Sequence, residues 1–90
     1  MRRGPHTSIS NDILPKVQEV FKQLFGVDPQ LVTIETKAFD IPGWDSVGHL
    51  SLCGAMEEAF EIVFDATEMA EMDNVRAIVA IIEKKTLPAA

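Results

Sequence analysis

Apolar side chains recur at helical spacing near both ends of this 90-residue chain. The first series, at i, i+4, i+7, i+8 and i+11, is Ile13, Val17, Val20, Phe21 and Leu24. The second series is Val75, Ile78, Val79 and Ile82. Such spacing is typical of amphipathic helices, which must bury the apolar stripe against one another. We therefore predict a single all-α domain.

The first helix has recognisable end signals. Residues 10–12 offer three N-cap residues, which would place Pro15 in the first turn, where a missing N–H matters least. Gly26 suits the position just after the helix. Residues 26–44 then show no sustained period and form a long loop. The apolar residues expected to anchor this loop to the core are Leu31, Ile34 and Phe39.

Three further helices are predicted. The second begins at a cap formed by Asp45 or Ser46 and continues to about Val63. A short third helix covers residues 67–72, and residues 73–74 cap the last. We predict a small four-helix bundle with three long helices, one short helix and a long loop between the first two. The predicted divisions are a flexible N-terminal arm over 1–9, the helical domain over 10–86 and a C-terminal tail over 87–90.

Charge is distributed unevenly. The net charge is −6, and nine acids but no Lys or Arg lie between Ala38 and Val75. This segment would repel nucleic acid and anionic lipid and attract basic protein surfaces. A solvated face that only aids solubility is the alternative. With one cysteine, no apolar run after the basic start and no apolar stretch of about 20 residues, we expect a monomeric cytoplasmic protein without a membrane span.

The second predicted helix has two different faces. Its core face on a helical wheel comprises Leu52, Met56, Ala59, Phe60 and Val63, with Cys53 just beyond it. The opposite side mixes acids with apolar or small residues: Glu57, Glu58, Glu61, Val47, Leu50 and Gly54. An apolar contact ringed by charge is typical of a transient partner surface. Leu50 could instead tuck under the long loop, and Gly54 indicates close approach either by a partner or by another part of the chain.

Ser46 follows the loop directly, within the string Trp44-Asp45-Ser46-Val47-Gly48-His49-Leu50. A phosphate ester on its hydroxyl would meet unpaired N–H groups and the positive end of the helix dipole. A plain helix cap is the simpler interpretation of an isolated Asp-Ser pair. Ser46 as a nucleophile with His49 as base lacks a third orienting group and the G-x-S-x-G spacing, so His49 is interpreted as a packing residue. No metal-ligand spacing connects His6, His49 and Cys53.

Several motifs occur together. Phe25-Gly26-Val27-Asp28-Pro29 precedes the loop, Asp45-Ser46-Val47 opens the second helix, and Met56-Glu57-Glu58-Ala59-Phe60 follows in the place of an L-E-E-x-F pattern. In this order the chain resembles the acyl carrier protein family from about residue 12 to residue 85. The resemblance implies a non-catalytic carrier whose Ser46 receives 4′-phosphopantetheine from coenzyme A through a phosphopantetheinyl transferase and Mg²⁺. The arm's thiol would then hold an acyl group as a thioester.

The resemblance also implies partner contacts. The transferase would read Asp45, and acyl-loading and acyl-processing enzymes with basic docking surfaces would contact the second helix. The residues assigned to that contact are Val47, Leu50, Glu57, Glu58 and Glu61. Gly48, Ser51 and Gly54 depart from fatty-acid-type carriers, so the string is more similar to free-standing carriers of specialised polyketide, nonribosomal peptide or surface-polysaccharide pathways. An aminoacyl or peptidyl carrier and an unmodified acidic helical adaptor are the alternatives.

Overall fold

The architecture is a four-helix bundle, seen in a computed structural model that describes residues 9–86. The helices are α1 (Ile9–Phe25), α2 (Ser46–Phe60), α3 (Ala66–Glu71) and α4 (Val75–Thr86). A single 3₁₀ turn, Pro29–Leu31, interrupts the loop between α1 and α2. The predicted all-α bundle is confirmed. Residues 1–8 of the predicted arm and the predicted tail 87–90 lie outside the described residues.

Helix α1 starts earlier than its sequence signals indicated. It already includes Ile9, so Pro15 is the seventh helical residue and lies beyond the first turn. The prediction that residues 10–12 cap the helix was therefore wrong, because those residues are helical themselves. The predicted end is confirmed: Gly26 adopts φ +70° and donates its N–H to the carbonyl of Lys22 at 2.8 Å.

The core lies where α1 meets α2 and α4. The buried helical residues are Ile13, Val17, Val20, Phe21, Leu52, Cys53, Met56, Val75, Ile78, Val79 and Ile82. Burying each large side chain of this kind contributes about 1.5–3 kcal/mol. Leu24, the last of the predicted α1 series, is 38% exposed and borders a surface groove with Ala55 and Ala59. The α4 stripe is confirmed completely, and Asn74 caps that helix by accepting the N–H of Ala77 at 2.7 Å.

Different residues anchor the long loop from those predicted. Leu31, Ile34 and Phe39 are exposed, and Phe39 is 75% accessible. The loop residues that are buried instead are Val32, Thr36, Ile41 and Trp44. Without a regular period, apolar character alone does not say which side of the chain faces the core.

Hydrogen bonds determine how the loop lies. The Gln18 side chain donates to the carbonyl of Val32 at 2.7 Å and fixes the chain against α1. The Thr36 hydroxyl accepts the N–H of Thr33 at 2.9 Å, and its own carbonyl accepts the N–H of Val75 at 2.8 Å. These bonds hold Val32 and Thr36 inward and leave the neighbouring apolar side chains outside.

Helix α2 ends three residues before the predicted boundary. Glu61 adopts the left-handed conformation with φ 57° and ends the helix, so Val63 is 75% exposed rather than in the core. Phe64 is buried in its place. The carboxylate of Glu57 accepts the N–H of Phe64 at 2.9 Å and fixes this turn toward α3. Among residues 9–86, no helix has the length and apolar character needed to cross a membrane.

Candidate functional site

Ser46 is the first residue of α2, and Asp45 is its N-cap. The Asp45 side chain accepts the N–H of Gly48 at 2.9 Å, so of the two predicted cap residues the structure selects Asp45. Ser46 is exposed, and no hydrogen bond engages its hydroxyl within the described part of the chain. The hydroxyl is therefore free to react.

The backbone around Ser46 is suited to a phosphate group. The N–H of His49 bonds to the carbonyl of Asp45 at 2.8 Å, while those of Ser46 and Val47 have no partner among residues 9–86. Unpaired N–H groups at a helix start, together with the helix dipole, stabilise a negative charge. The residues present thus fit an esterified phosphate on Ser46.

A hydrogen-bonded pair of rings holds this helix start in place. Trp44 is fully buried and packs edge-on against Phe21, with ring centroids 5.0 Å apart. Its indole N–H donates to Nδ1 of His49 at 2.9 Å, which leaves the His49 proton on Nε2, 2.8 Å from the carbonyl of Met69. Since both nitrogens are engaged, His49 is a packing residue, as predicted, with no free nitrogen to act as a base toward Ser46.

Gly48 has a steric role that the sequence analysis missed. A Cβ on Gly48 would overlap the carbonyl oxygen of Gly43 and lie 3.3 Å from the Phe25 ring. Gly43 itself adopts φ +95°, and a Cβ there would lie 2.9 Å from the same ring. The loop thus turns tightly onto α2 through two glycines. Position 48 is a glycine and not an acid because there is no room for a side chain there. The pair of glycines five residues apart was the signal for this in the sequence.

The predicted partner residues of α2 differ in accessibility. Val47 and Leu50 are 76% and 67% exposed, so Leu50 does not tuck under the loop. Glu58 and Glu61 are exposed, but Glu57 is half-buried and bonded to the turn before α3. No atom of the described residues comes within 4 Å of a Cβ built on Gly54, outside its own helix backbone and chain neighbours, so packing within the chain does not explain that glycine.

Cys53 differs sharply from Ser46 although both are on α2. It is buried, and that burial, followed by the nearby Glu57 carboxylate, raises the pKa of the Cys53 thiol above its ordinary value of 9.0. A buried, protonated thiol is a poor nucleophile. Of these two side chains, only the Ser46 hydroxyl is accessible from solvent.

The sequence is similar to those of known proteins. A family model described as "Phosphopantetheine attachment site" matches residues 15–82. The chain is 33% identical over 73 residues to the acyl carrier protein of Bdellovibrio bacteriovorus, covering 81% of this chain and 94% of that protein. It is 32% identical over 72 residues to that of Campylobacter concisus, covering 80% and 94%. It is 34% identical over 74 residues to that of Akkermansia muciniphila, covering 82% and 92%.

The four-helix bundle and the match to a phosphopantetheine attachment model together indicate a carrier domain for a covalently attached cofactor. The chain belongs to the acyl carrier protein family, which confirms the resemblance inferred from its motifs. It is a non-catalytic carrier with a covalently attached 4′-phosphopantetheine group. Its family acts together with phosphopantetheinyl transferase and acyl-processing enzymes.

Proposed function

We propose that the Ser46 hydroxyl is the attachment point for 4′-phosphopantetheine, and that the chain carries acyl groups in a specialised biosynthetic pathway. The observation that supports this most directly is an exposed hydroxyl at the first residue of α2, beside two N–H groups. Neither the hydroxyl nor these N–H groups have a hydrogen-bond partner among residues 9–86. When attached, the cofactor supplies a thiol that holds acyl groups as thioesters.

The residues around Ser46 have different roles in the proposed attachment. The Asp45 cap fixes the first turn of α2, and the Ser46 and Val47 N–H groups stabilise the phosphate charge. The exposed second oxygen of Asp45 remains available to the transferase, because only Oδ1 is bonded within the described residues. The hydrogen bond between Trp44 and His49 holds the end of the loop against the first turn of α2, where Ser46 lies.

A stripe on α2 is the proposed docking surface for partner enzymes. It runs from Ser46 along Val47, Leu50, Gly54, Glu58 and Glu61, all exposed. The stripe is apolar near Ser46, open at Gly54 and acidic at its far end. This pattern matches a partner surface that is apolar next to its active site and basic farther away. Glu57 would contribute less, since its carboxylate is already bonded to the N–H of Phe64.

The proposal of a specialised pathway rests on three residues of α2 that lie in this stripe or beside it. Gly48 is required sterically, and Ser51 and Gly54 leave the middle of α2 without charge or bulk. Partners that need acids at these positions after the serine would bind this surface weakly. We further propose a cytoplasmic monomer, because the net charge of −6 opposes self-association and the one cysteine is buried.

Intact mass after enzymatic loading tests the attachment. The wild-type chain, Ser46→Ala and Ser51→Ala are incubated with coenzyme A, Mg²⁺ and a broad-specificity transferase. Ser51 is the matched control, because it is an exposed serine on the same helix. We expect wild type and Ser51→Ala to gain one phosphopantetheine and Ser46→Ala to gain none. No gain by the wild type would contradict the proposal and favour an unmodified adaptor.

A further inference from the structure

A surface groove of about 330 Å³ lies between α1 and α2, beside the proposed docking stripe. The volume is at the low end of the roughly 300–1,000 Å³ found for small-molecule pockets, and it leaves room for one large side chain. The residues that line it are Val20, Gln23, Leu24, Ala55, Glu58 and Ala59. Glu58 belongs both to the groove and to the stripe, so the two surfaces are continuous.

The groove is open because the side chains on its two walls differ in length. Leu24 on α1 is 38% exposed, although it continues the helical series that the core buries. On the α2 wall, Ala55 and Ala59 are half-buried and too short to cover it. An apolar side chain from another molecule would remove this surface from water.

Contacts between the helices and along α1 hold the groove. At one end, Nζ of Lys16 lies 5.0 Å from the centre of the Phe60 ring and joins α1 to α2 one turn before Val20. On the α1 rim, the Gln23 side chain donates to the Glu19 carboxylate at 3.0 Å. The groove is therefore formed before any partner binds.

Gly54 lies between the stripe and the groove, directly before Ala55. Glycine is unfavourable inside a helix, and no described atom comes within 4 Å of a Cβ built there, outside its own helix backbone and chain neighbours. Packing within the described residues therefore gives no reason for this glycine. The missing side chain leaves a gap in the surface of α2, through which a partner side chain can reach the groove from the stripe.

The rim of the groove is negatively charged. Glu58 is exposed, and no ion pair engages its carboxylate among residues 13–86. Glu19 adds a second exposed carboxylate near the α1 rim. Of the bases that α1 contributes within residues 13–86, Lys16 already contacts an aromatic ring of α2, and Lys22 lies on another face of the helix. A partner surface with bases around an apolar side chain is complementary to this rim.

We propose that this groove receives one large apolar side chain of a partner enzyme, of the size of leucine, with lysine or arginine residues on either side of it. The apolar side chain enters over Gly54 and packs between Leu24 and Ala55. The flanking bases pair with Glu58 and with the other acid of the stripe. The main apolar contact is thus a recess on this chain and a projection on the partner. The inference rests on the docking stripe proposed above.

The test titrates the full chain, labelled with ¹³C and ¹⁵N, with a synthetic peptide that has one leucine between two pairs of lysines. We expect NMR shift changes at the methyl groups of Leu24, Ala55 and Ala59 and at the amide of Gly54. A peptide with alanine in place of the leucine should bind about tenfold more weakly, because the burial of the leucine side chain is lost.

Variants of the chain test the entry and the charge separately. Gly54→Leu fills the gap and should weaken binding of the leucine peptide about tenfold. Ala80→Leu is the matched control, because it adds the same side chain at an exposed position of α4 outside the groove lining, and it should keep the wild-type affinity. Glu58→Gln keeps the shape of the rim and should weaken binding about two- to fivefold.

The positions of the shift changes separate the groove from the stripe. Changes confined to Val47, Leu50 and Glu61 would overturn the groove and leave the docking stripe in place. The absence of any change on α2 would overturn both. Equal affinities of the leucine and alanine peptides, or wild-type affinity of Gly54→Leu, would overturn the groove alone. Intact mass after loading reports the attachment at Ser46 independently of all these outcomes.

Discussion

Trp44 donates its buried indole N–H to Nδ1 of His49 across 2.9 Å, and Nε2 of His49 donates to the carbonyl of Met69 in α3. This short chain of bonds joins the end of the loop, the first turn of α2 and the C-terminal half of α3. Ser46 lies between Trp44 and His49 in the sequence, so its position depends on both.

His49→Ala should destabilise the fold by about 1–3 kcal/mol, because it leaves the buried N–H of Trp44 without an acceptor. Urea unfolding followed by the fluorescence of Trp44, the only tryptophan, measures this directly. Leu50→Ala is the control, since that side chain is 67% exposed on the same helix. Equal unfolding midpoints for His49→Ala and wild type would show that the bond contributes nothing.

The two glycines of α2 should respond in opposite directions to the same substitution. Gly48→Ala forces a methyl group against the Gly43 carbonyl and should lower the unfolding free energy by about 1–3 kcal/mol. Gly54→Ala places a methyl group in open space at an exposed helix position and should raise the unfolding free energy by about 0.5–1 kcal/mol. Urea unfolding of both variants provides the comparison. A stabilising Gly48→Ala would contradict the close approach of the loop.

Asp45 combines a structural role with a proposed one, and two variants separate them. Asp45→Ala removes the helix cap and should cost about 1 kcal/mol of stability, while Asp45→Asn keeps a capping oxygen and should be near neutral. If the transferase reads the charge, both variants should load about tenfold more slowly. Loading rates come from the mass change over time. Wild-type loading by Asp45→Asn would assign Asp45 to capping alone.

Sequence reasoning was most successful where a regular period meets a buried face. The α4 stripe and the buried Leu52 and Met56 of α2 followed directly from helical spacing. It failed in the loop, where tertiary hydrogen bonds decide that Val32 is inside and Phe39 outside. The predicted burial of Val63 was also wrong, because α2 ends at the left-handed residue Glu61. The spacing of apolar residues does not show where a helix ends.

In the candidate site, too, features set by neighbouring residues could be predicted, and features that depend on the tertiary fold could not. Local chemistry placed Ser46 and Asp45 at the start of α2, because a cap and an exposed N1 residue depend on neighbours in the sequence. The Trp44–His49 bond and the close approach of Gly48 to Gly43 depend on segments brought together by folding. The spacing of residues along the sequence does not predict such contacts.

Glu68 makes stability depend on pH at the α3–α4 contact. Its carboxylate accepts the N–H of Asp65 at 2.9 Å and lies 3.0 Å from Nζ of Lys85. The backbone bond first, and then Lys85, hold the pKa of Glu68 below its ordinary value of 4.5. A carboxyl with a lowered folded-state pKa stabilises the fold above its unfolded-state pKa, and this contribution disappears as the pH falls through the folded-state pKa.

Glu68→Gln keeps a capping oxygen but removes the charge. We expect it to be less stable than wild type near neutral pH, with the difference closing as the pH falls below 4.5. Urea midpoints measured from about pH 7 to about pH 3 follow this change. Glu71→Gln, which removes an exposed acid of the same helix, is measured alongside as the matched variant. A constant difference for Glu68→Gln across the range would contradict the assignment.

Fragmentation of the loaded chain after trypsin digestion tests directly whether Ser46 carries the phosphopantetheine. No Lys or Arg lies between Ala38 and Val75, so one peptide, residues 38–76, contains both Ser46 and Ser51. Tandem mass spectrometry then assigns the phosphopantetheine to one side chain. We expect the group on Ser46 alone. A group on Ser51, or a peptide of unchanged mass after treatment with a competent transferase, would contradict it.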